Sequence, residues 1–556
     1  MTAGSGGPSG ARGRSVKICT GGACVAAGAL EIADAFRLAL AGPGRRPASV
    51  GTTDCPHDVR ATGCFGPCGL GPLVEIPELD LLYCRVRVED VDEIVEASVR
   101  AGGTLRRLLY RDPATGRERR GSWEIPFFTE QTRSVLARCG KIDPERIEAY
   151  VASDGYRGLE RALLRMKPRE IIEEIHRSSL QGRGGAGFPA GLKWSVVAET
   201  EADGRAVICN ADEGDPAAFT DRGILEGDPH AVIEGLAIAA RAVGAGRGLI
   251  YIRSEYSLAI QRLELALEQA RGAGFLGPDA LGSGFSLDLS VVRGAGAYVC
   301  GEETALIQSI EGRRAMPRPR PPYPARQGLR GKPTLIHNVE TFANVARILA
   351  QGAGEFSRVG TALSRGTKAL ALTGRVANPG LVEVPLGTPP RVIIDEIGGG
   401  MAGDGRFKAA LLGGPGGGWL TTEDLDTPLD YPSLKRLGLS MGSGGLVVLD
   451  DRSCIVRAVR QLTEFFVNES CGKCPPCRIG TRALLNLLDR ISKGESPPGE
   501  LDRLRRLGEH IGRTSLCGLG KQSPNPALGA LRKFREEFEA HALDRRCPAG
   551  ECPGMS

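Results

Sequence analysis

Cys471, Cys474 and Cys477 stand at C-x2-C-x2-C spacing, and Cys517 follows forty residues after the third. Three thiols so closely spaced can converge on one centre. A fourth from the later loop Ser515-Leu516-Cys517-Gly518-Leu519-Gly520 completes an all-cysteine cage of the kind that holds a [4Fe-4S] cluster. Zinc accepts the same donors. The second C-x2-C pair that would close a zinc ribbon is absent, so the spacing favours iron–sulfur while leaving zinc open. A second quartet stands near the other end, with Cys19 and Cys24 at C-x4-C and Cys64 and Cys68 at C-x3-C. Glycines beside these cysteines let backbone N–H groups approach sulfur and tune its potential. A disulfide pair or a zinc site is the alternative there. Two cluster-like quartets in one chain imply electrons passing singly between fixed centres.

Glycine-rich loops supply the other candidate chemistry. Gly182, Gly184 and Gly187 satisfy G-x-G-x-x-G, but the dinucleotide fingerprint must follow a strand and open a helix. Here a helix over 168–179 precedes the loop and Phe188-Pro189 follows it, so the standard Rossmann reading is rejected. The loop can still cradle a ligand. Its glycines expose N–H groups to anions, Arg183 and Lys193 can pair with phosphate, and Phe188 offers a face for stacking. Asn210, Asp212, Glu213 and Asp215 directly follow a strand, where α/β folds place functional side chains. They could accept hydroxyl or ring N–H groups, bind a metal, or be solvated turn residues. Glu302-Glu303 opens a helix, where carboxylates favour the dipole. Its neighbours Gly294, Gly296 and Tyr298 raise a ligand role.

These side chains need several folding units to hold them. At 556 residues the chain exceeds one core, so three or four domains are expected. Its 71 Lys plus Arg against 66 Asp plus Glu is too balanced for a nucleic-acid or anionic-membrane surface. No apolar run approaches the roughly 18 residues of a spanning helix. Residues 1–15 read as a flexible tail with no apolar signal segment. Sixteen clustered cysteines without a secretory signal read as metal ligation in a reducing, cytoplasmic setting, with the cytoplasmic face of a membrane as the other possible location.

The pattern divides as follows. Residues 16–102 form a small α/β unit with strands over 15–19, 72–76 and 82–86 and helices over 25–40 and 88–101, which suits a thioredoxin-like ferredoxin. Residues 103–122 are a charged, Gly/Pro-punctuated linker. Residues 123–365 alternate strands (206–209, 248–252, 286–292) with helices, including one opened by Asp228 as N-cap and Pro229 at its first position. That alternation means a mainly parallel sheet with ligand loops at the strand C-termini. Residues 366–451 are a β-rich insert, 452–543 a helical bundle, and 544–556 a polar C-terminal tail. Cys55, Cys84, Cys139, Cys209, Cys300 and Cys454 read as small buried hydrophobes. The six His residues show no metal spacing.

Residues 182–194, 210–222, 294–312, 321–341 and 469–481 together resemble the NADH- and FMN-binding flavoprotein subunit of bacterial complex I. They also resemble its soluble relatives, the diaphorase subunits of NAD-linked formate dehydrogenases and bidirectional hydrogenases. Residues 16–100 resemble the family's thioredoxin-like [2Fe-2S] component, here fused in front, and the insert is similar to its β-grasp (SLBB) domain. The fold so implied is α/β multidomain: a thioredoxin-like ferredoxin, a Rossmann-like FMN/NADH domain, a β-grasp insert and a C-terminal helical bundle with [4Fe-4S]. Cys547 and Cys552 resemble the start of a C-terminal ferredoxin extension found in some relatives.

The resemblance implies a cofactor-binding set of Gly182, Arg183, Gly184, Gly185, Phe188, Lys193, Asn210, Asp212, Glu213, Gly214, Asp215, Tyr298, Gly301, Glu302, Glu303, Tyr323, Asn338 and Thr341. In it Phe188 and Tyr323 stack the NADH rings and Glu303 hydrogen-bonds them. The implied metal ligands are Cys19, Cys24, Cys64 and Cys68 for [2Fe-2S], and Cys471, Cys474, Cys477 and Cys517 for [4Fe-4S]. No side chain is needed as acid or base, because hydride passes directly between NAD(H) and FMN. Gly214-Asp215 replaces the Ser-Glu common in complex I and resembles the soluble branch. His337 replaces an Asn that usually pairs with Asn338, which puts one flavin phosphate contact in question. Arg320 and Tyr323 stand where Lys and Phe are common. The implied activity is that of an NADH dehydrogenase (diaphorase). The implied partner is the molybdenum or tungsten large subunit of a formate dehydrogenase, with hydrogenase or complex I subunits as alternatives and a flavin-free electron wire as the non-enzyme alternative.

Overall fold

The structure is a computed structural model that describes residues 13–41 and 58–555. The reading of Cys55 as a buried hydrophobe, and of most of the N-terminal tail, falls outside the described residues. The ferredoxin unit is built on the strand Val16–Cys19, which pairs parallel with Val59–Thr62 and antiparallel with Val74–Ile76; Leu81–Tyr83 completes the four-stranded sheet. The single helix expected over 25–40 is two, Gly22–Ala26 and Ala29–Ala41. Gly28 between them has φ +91°, a conformation that ends a helix and is open to glycine without strain.

The central sheet has four parallel strands in the order Thr334–Asn338, Ala206–Ala211, Arg247–Arg253, Asp288–Gly294. Val207, Ile208 and Cys209 are fully buried, as both faces of a parallel sheet must be. The helix Pro229–Val243 begins as expected, with Asp228 accepting from Ala231 N–H, and it stops at Gly244 (φ 73°). The strand Thr334–Asn338 is not expected from the sequence, yet it decides where the site lies. The chain runs from 206–211 across three strands in one direction, then returns to lay 334–338 on the other side. The crevice beyond the C-termini of these two neighbours is therefore a topological switch point, where open α/β sheets bind ligands.

The insert is a five-stranded sheet in the order Gly380–Pro385, Thr367–Gly374, Gly445–Asp450, Phe407–Leu412, Gly418–Leu420. Its apolar face shares one core with the ferredoxin unit: Leu370, Leu372 and Val382 pack in the same cluster as Phe65 and Leu73. Segment 103–122, expected as a linker, contains the hairpin Tyr110–Arg111/Glu118–Arg119, and Tyr110 Oη accepts from Asn378 Nδ2 at 2.9 Å. It is thus tied to the insert.

The C-terminal unit comprises Ile455–Glu469, Gly480–Ser492, Glu500–Thr514, Asn525–Lys533 and Arg535–Ala542. The last two are expected from the sequence as one helix, but Phe534 breaks it (φ −128°, ψ 39°). The chain beyond 543 is not a solvated tail. Cys547, Cys552 and Met555 are buried in the bundle's core. No helix among the described residues is long and apolar enough to cross a membrane.

Candidate active site

Asn210 and Asn338 are register partners at the C-terminal ends of adjacent parallel strands, and both face a cleft of about 650 Å³. The cleft is also lined by Gly182, Gly184, Phe188, Lys193, Gly301, Glu302, Glu303, Tyr323 and Thr341, all of them expected site residues. Phe188 and Tyr323 are 47% and 56% exposed, unusual for aromatic rings in a folded chain and fitting for faces that await a planar ligand. Lys193 bridges Glu303 and the Ile336 carbonyl. Arg320 lies 3.5 Å from Glu302 and over the Tyr323 ring. Two helix N-termini open into the cleft. Glu302 caps Glu303–Ile310 by accepting from Thr304 and Ala305 N–H. Asn338 caps Val339–Gln351 by accepting from Thr341 N–H at 3.2 Å. Such termini attract phosphate.

Other expected residues are not in the lining. The Arg183 guanidinium is fully buried and donates to the carbonyls of Gln181, Arg365 and Thr367; it secures the loop to the insert, and its backbone N–H is bound to Thr341 Oγ1. Gly185 (φ 122°) packs against Gly442. Glu213 caps the helix Thr220–Gly227 by accepting from Thr220, Asp221 and Arg222 N–H. Asp215 accepts from Ala217 N–H and pairs with Ser443. Gly214 lets Tyr298 and Arg253 approach, and Tyr298 stands edge-on to Phe465.

Asp212 lies behind the lining. Both of its carboxylate oxygens are buried without a hydrogen-bond partner, and so is Arg253 Nη1, 3.7 Å away. Desolvation pushes its pKa up to about 7 despite the opposing Arg253 charge. Gly301, which lines the cleft, is its neighbour: a Cβ there would stand 3.9 Å from Asp212 Oδ2. Orphaned buried oxygens, glycines that admit backbone approach to a flat ring, and helix N-termini for a phosphate together fit FMN. His337 is buried at the edge of the cleft. Trp194 Nε1 donates to its Nε2 at 3.0 Å, and burial depresses its pKa well below the usual range. It is a neutral acceptor in the core.

Neither cysteine quartet is part of the cleft's lining. Cys19, Cys24, Cys64 and Cys68 line one pocket with Phe219, Arg222 and Glu226 of the flavin domain and Leu381 of the insert. Methyl groups at Gly21 or Gly71 would collide with Cys64 Cβ (2.8 Å) or Cys24 Sγ (2.5 Å), so both positions require glycine. Mutual thiol contact and burial raise the pKa of Cys19, Cys64 and Cys68, a penalty that bound iron removes by taking thiolates. Sequence reasoning missed Phe219, Arg222 and Glu226 as walls of this pocket, although they fall within or just beyond the 210–222 motif. Cys471, Cys474, Cys477 and Cys517 join one cluster with Tyr298, Val299, Cys300 and Phe466. Burial raises the Cys517 pKa, opposed by the backbone N–H groups of Gly520 and Leu519. Tyr298 N–H donates to Glu469 at 2.9 Å; within residues 298–303 the first three pack against these thiols and the last three line the cleft.

Comparison with known proteins agrees with this geometry. Residues 175–347 match the Nuo51 FMN-binding domain, 457–541 the NADH-ubiquinone oxidoreductase-F iron-sulfur binding region, and 8–98 the thioredoxin-like [2Fe-2S] ferredoxin. The chain is 50% identical over 426 residues to the NADP-reducing hydrogenase subunit HndC of Solidesulfovibrio fructosivorans, covering 77% of this chain and 86% of that one. It is 45% identical over 406 residues to an NADH-quinone oxidoreductase subunit of Rhizobium meliloti, covering 73% and 96%. The crystal structure of an NAD+-reducing [NiFe]-hydrogenase in the H2-reduced state superposes with TM-score 0.67 at 31% identity, over 95% of this chain and 84% of that one. The chain therefore belongs to the family of FMN-binding subunits of NADH-quinone oxidoreductases and hydrogenase diaphorases: it is an NADH-dehydrogenase-type oxidoreductase subunit that uses FMN, a [2Fe-2S] and a [4Fe-4S] centre.

Proposed function

We propose that the cleft between Gly182–Lys193 and Tyr298–Glu303 is where this chain exchanges electrons with NAD(H), as the diaphorase subunit of a soluble redox complex. The supporting observation is the placement of Phe188, Lys193, Glu303 and Tyr323 around one cleft whose lining residues Gly301, Glu302 and Glu303 directly follow the three that pack on the Cys471 quartet. Bound FMN would supply the exchange of hydride with nicotinamide and its conversion to single-electron transfer. The protein's share is positional. Gly182, Gly184 and Gly301 admit the flat ring, Asp212 offers a buried acceptor, and the Asn338–Thr341 helix terminus holds phosphate. Phe188 and Tyr323 clamp the nicotinamide and adenine rings, while Lys193 and Glu303 fix the dinucleotide's polar groups and exclude water from between them. No general acid or base is required.

For the parent complex, Gly214-Asp215 resembles the soluble branch as a whole, which leaves a formate dehydrogenase with a molybdenum or tungsten subunit open. The 50% identity to HndC favours a hydrogenase instead. Purifying the native complex and comparing formate-dependent with hydrogen-dependent NAD(P) reduction decides between them. A chain isolated anaerobically without flavin absorbance would overturn the whole reading.

A further inference from the structure

Cys454, His541, Cys547 and Cys552 are all buried, and their four donor atoms lie within 4.8 Å of one another. We propose that they form a structural zinc site, Cys3His, which closes the C-terminal segment onto the helical bundle. The residues come from three separate places. Cys454 is the N-cap of Ile455–Glu469, His541 lies on Arg535–Ala542, and the other two bracket the turn that follows.

The three edges among Cys454, His541 and Cys552 match a single tetrahedral ion, with Cys547 Sγ within 4.8 Å of each of them. Zinc bonds of about 2.3 Å to sulfur and about 2.0 Å to nitrogen set S···S edges of about 3.8 Å and S···N edges of about 3.5 Å. Cys454 Sγ to Cys552 Sγ is 3.7 Å, Cys454 Sγ to His541 Nε2 is 3.4 Å, and Cys552 Sγ to His541 Nε2 is 3.5 Å. A four-iron cubane interposes a whole cluster between its thiolates and needs a wider cage. The sulfurs are also too far apart for a disulfide, whose S–S bond is about 2.05 Å.

The surroundings are those of a built site. His541 Nδ1 lies 2.8 Å from the Glu537 carbonyl; an Nδ1–H donating to that oxygen leaves the Nε2 lone pair facing the sulfurs, the usual orienting bond of a zinc histidine. Arg457 N–H donates to Cys454 Sγ at 3.4 Å. Glu551, next to Cys552, accepts from Cys454 N–H at 2.8 Å, and its carbonyl accepts from Arg457 Nη1 at 2.9 Å. Four protein donors leave no open position, which marks a structural ion and not a catalytic one. On binding, each of the three thiols would lose its proton to solvent, and Zn2+ undergoes no redox change.

The test is metal analysis of the full chain, purified anaerobically with its flavin and iron. About one zinc per chain is expected, with a zinc-edge absorption spectrum showing three sulfurs and one nitrogen. Cys547→Ser and Cys552→Ser should each lose that zinc while iron and flavin contents stay at wild-type values. Wild-type protein without zinc, zinc undiminished in both variants, or a first shell other than three sulfurs and one nitrogen would overturn the proposal. The absorption spectrum needs no variant, so a substitution that fails to fold leaves the test intact.

Discussion

The buried guanidinium of Arg262, on a helix of the flavin domain, holds Thr20 of the ferredoxin unit 242 positions away. Nη1 donates to the Thr20 carbonyl at 3.1 Å and Nη2 to its hydroxyl at 2.7 Å. The same group donates to the Glu226 carbonyl and pairs with Glu145. Thr20 immediately follows Cys19, so this contact sets where the first cluster meets the flavin domain. Hydrogen bonds to a charged group contribute about 1.5–3 kcal/mol each. Arg262→Met should therefore loosen the seam, seen as faster amide exchange over 16–41 and slower re-reduction of the [2Fe-2S] centre, with flavin content unchanged. Wild-type exchange in that variant would count against the seam.

Glu303 pairs with Lys193, whereas the phosphate site proposed above lies at the Asn338–Thr341 cap. Glu303→Ala should weaken NADH binding about tenfold, the equivalent of about 1.4 kcal/mol, while FMN stays bound. Titration calorimetry on flavin-replete protein reads both quantities, and unchanged affinity would refute the role.

Cys474→Ser should remove a thiolate of the [4Fe-4S] centre without touching the cleft. Flavin bleaching by NADH in a stopped-flow mixer should keep its wild-type rate, whereas electron delivery to partner subunits should be lost. Normal delivery would break the proposed wiring.

Asp212, with its pKa raised to about 7 by desolvation, gives a pH signature in the flavin-free chain. An unfolded Asp titrates near about 3.9. Between these values the folded state keeps a proton that the unfolded state releases. The group's contribution is thus present at low pH and lost as pH rises through about 7. Asp212→Asn should flatten that decline in melting temperature between about pH 4 and pH 7. Parallel curves for the two proteins would show that the carboxylate is ordinary.

What is legible in the sequence is local. The cysteine spacings place both quartets, and Asp228-Pro229 marks a helix start that the structure reproduces to the residue. The strand Thr334–Asn338 is not legible: five residues behind Pro333 carry too short a pattern, and only pairing with 206–211 makes them extended. Residues 210–222 stand out for their acidic side chains, yet Glu213 and Asp215 serve the backbone of their own turn and the next helix. Their proximity to the cleft, not contact with it, is what the pattern conveys. The grouping of Cys454 and His541 escapes entirely, because donors 87 positions apart have no spacing to read.

One partition, residues 298–303, separates the dinucleotide cleft from the thiolates of Cys471, Cys474, Cys477 and Cys517. Glu302 stands close enough to act electrostatically on Cys517. With both sites filled, any effect of the iron's charge on nucleotide affinity would be matched by an equal free-energy effect of nucleotide on the iron's midpoint.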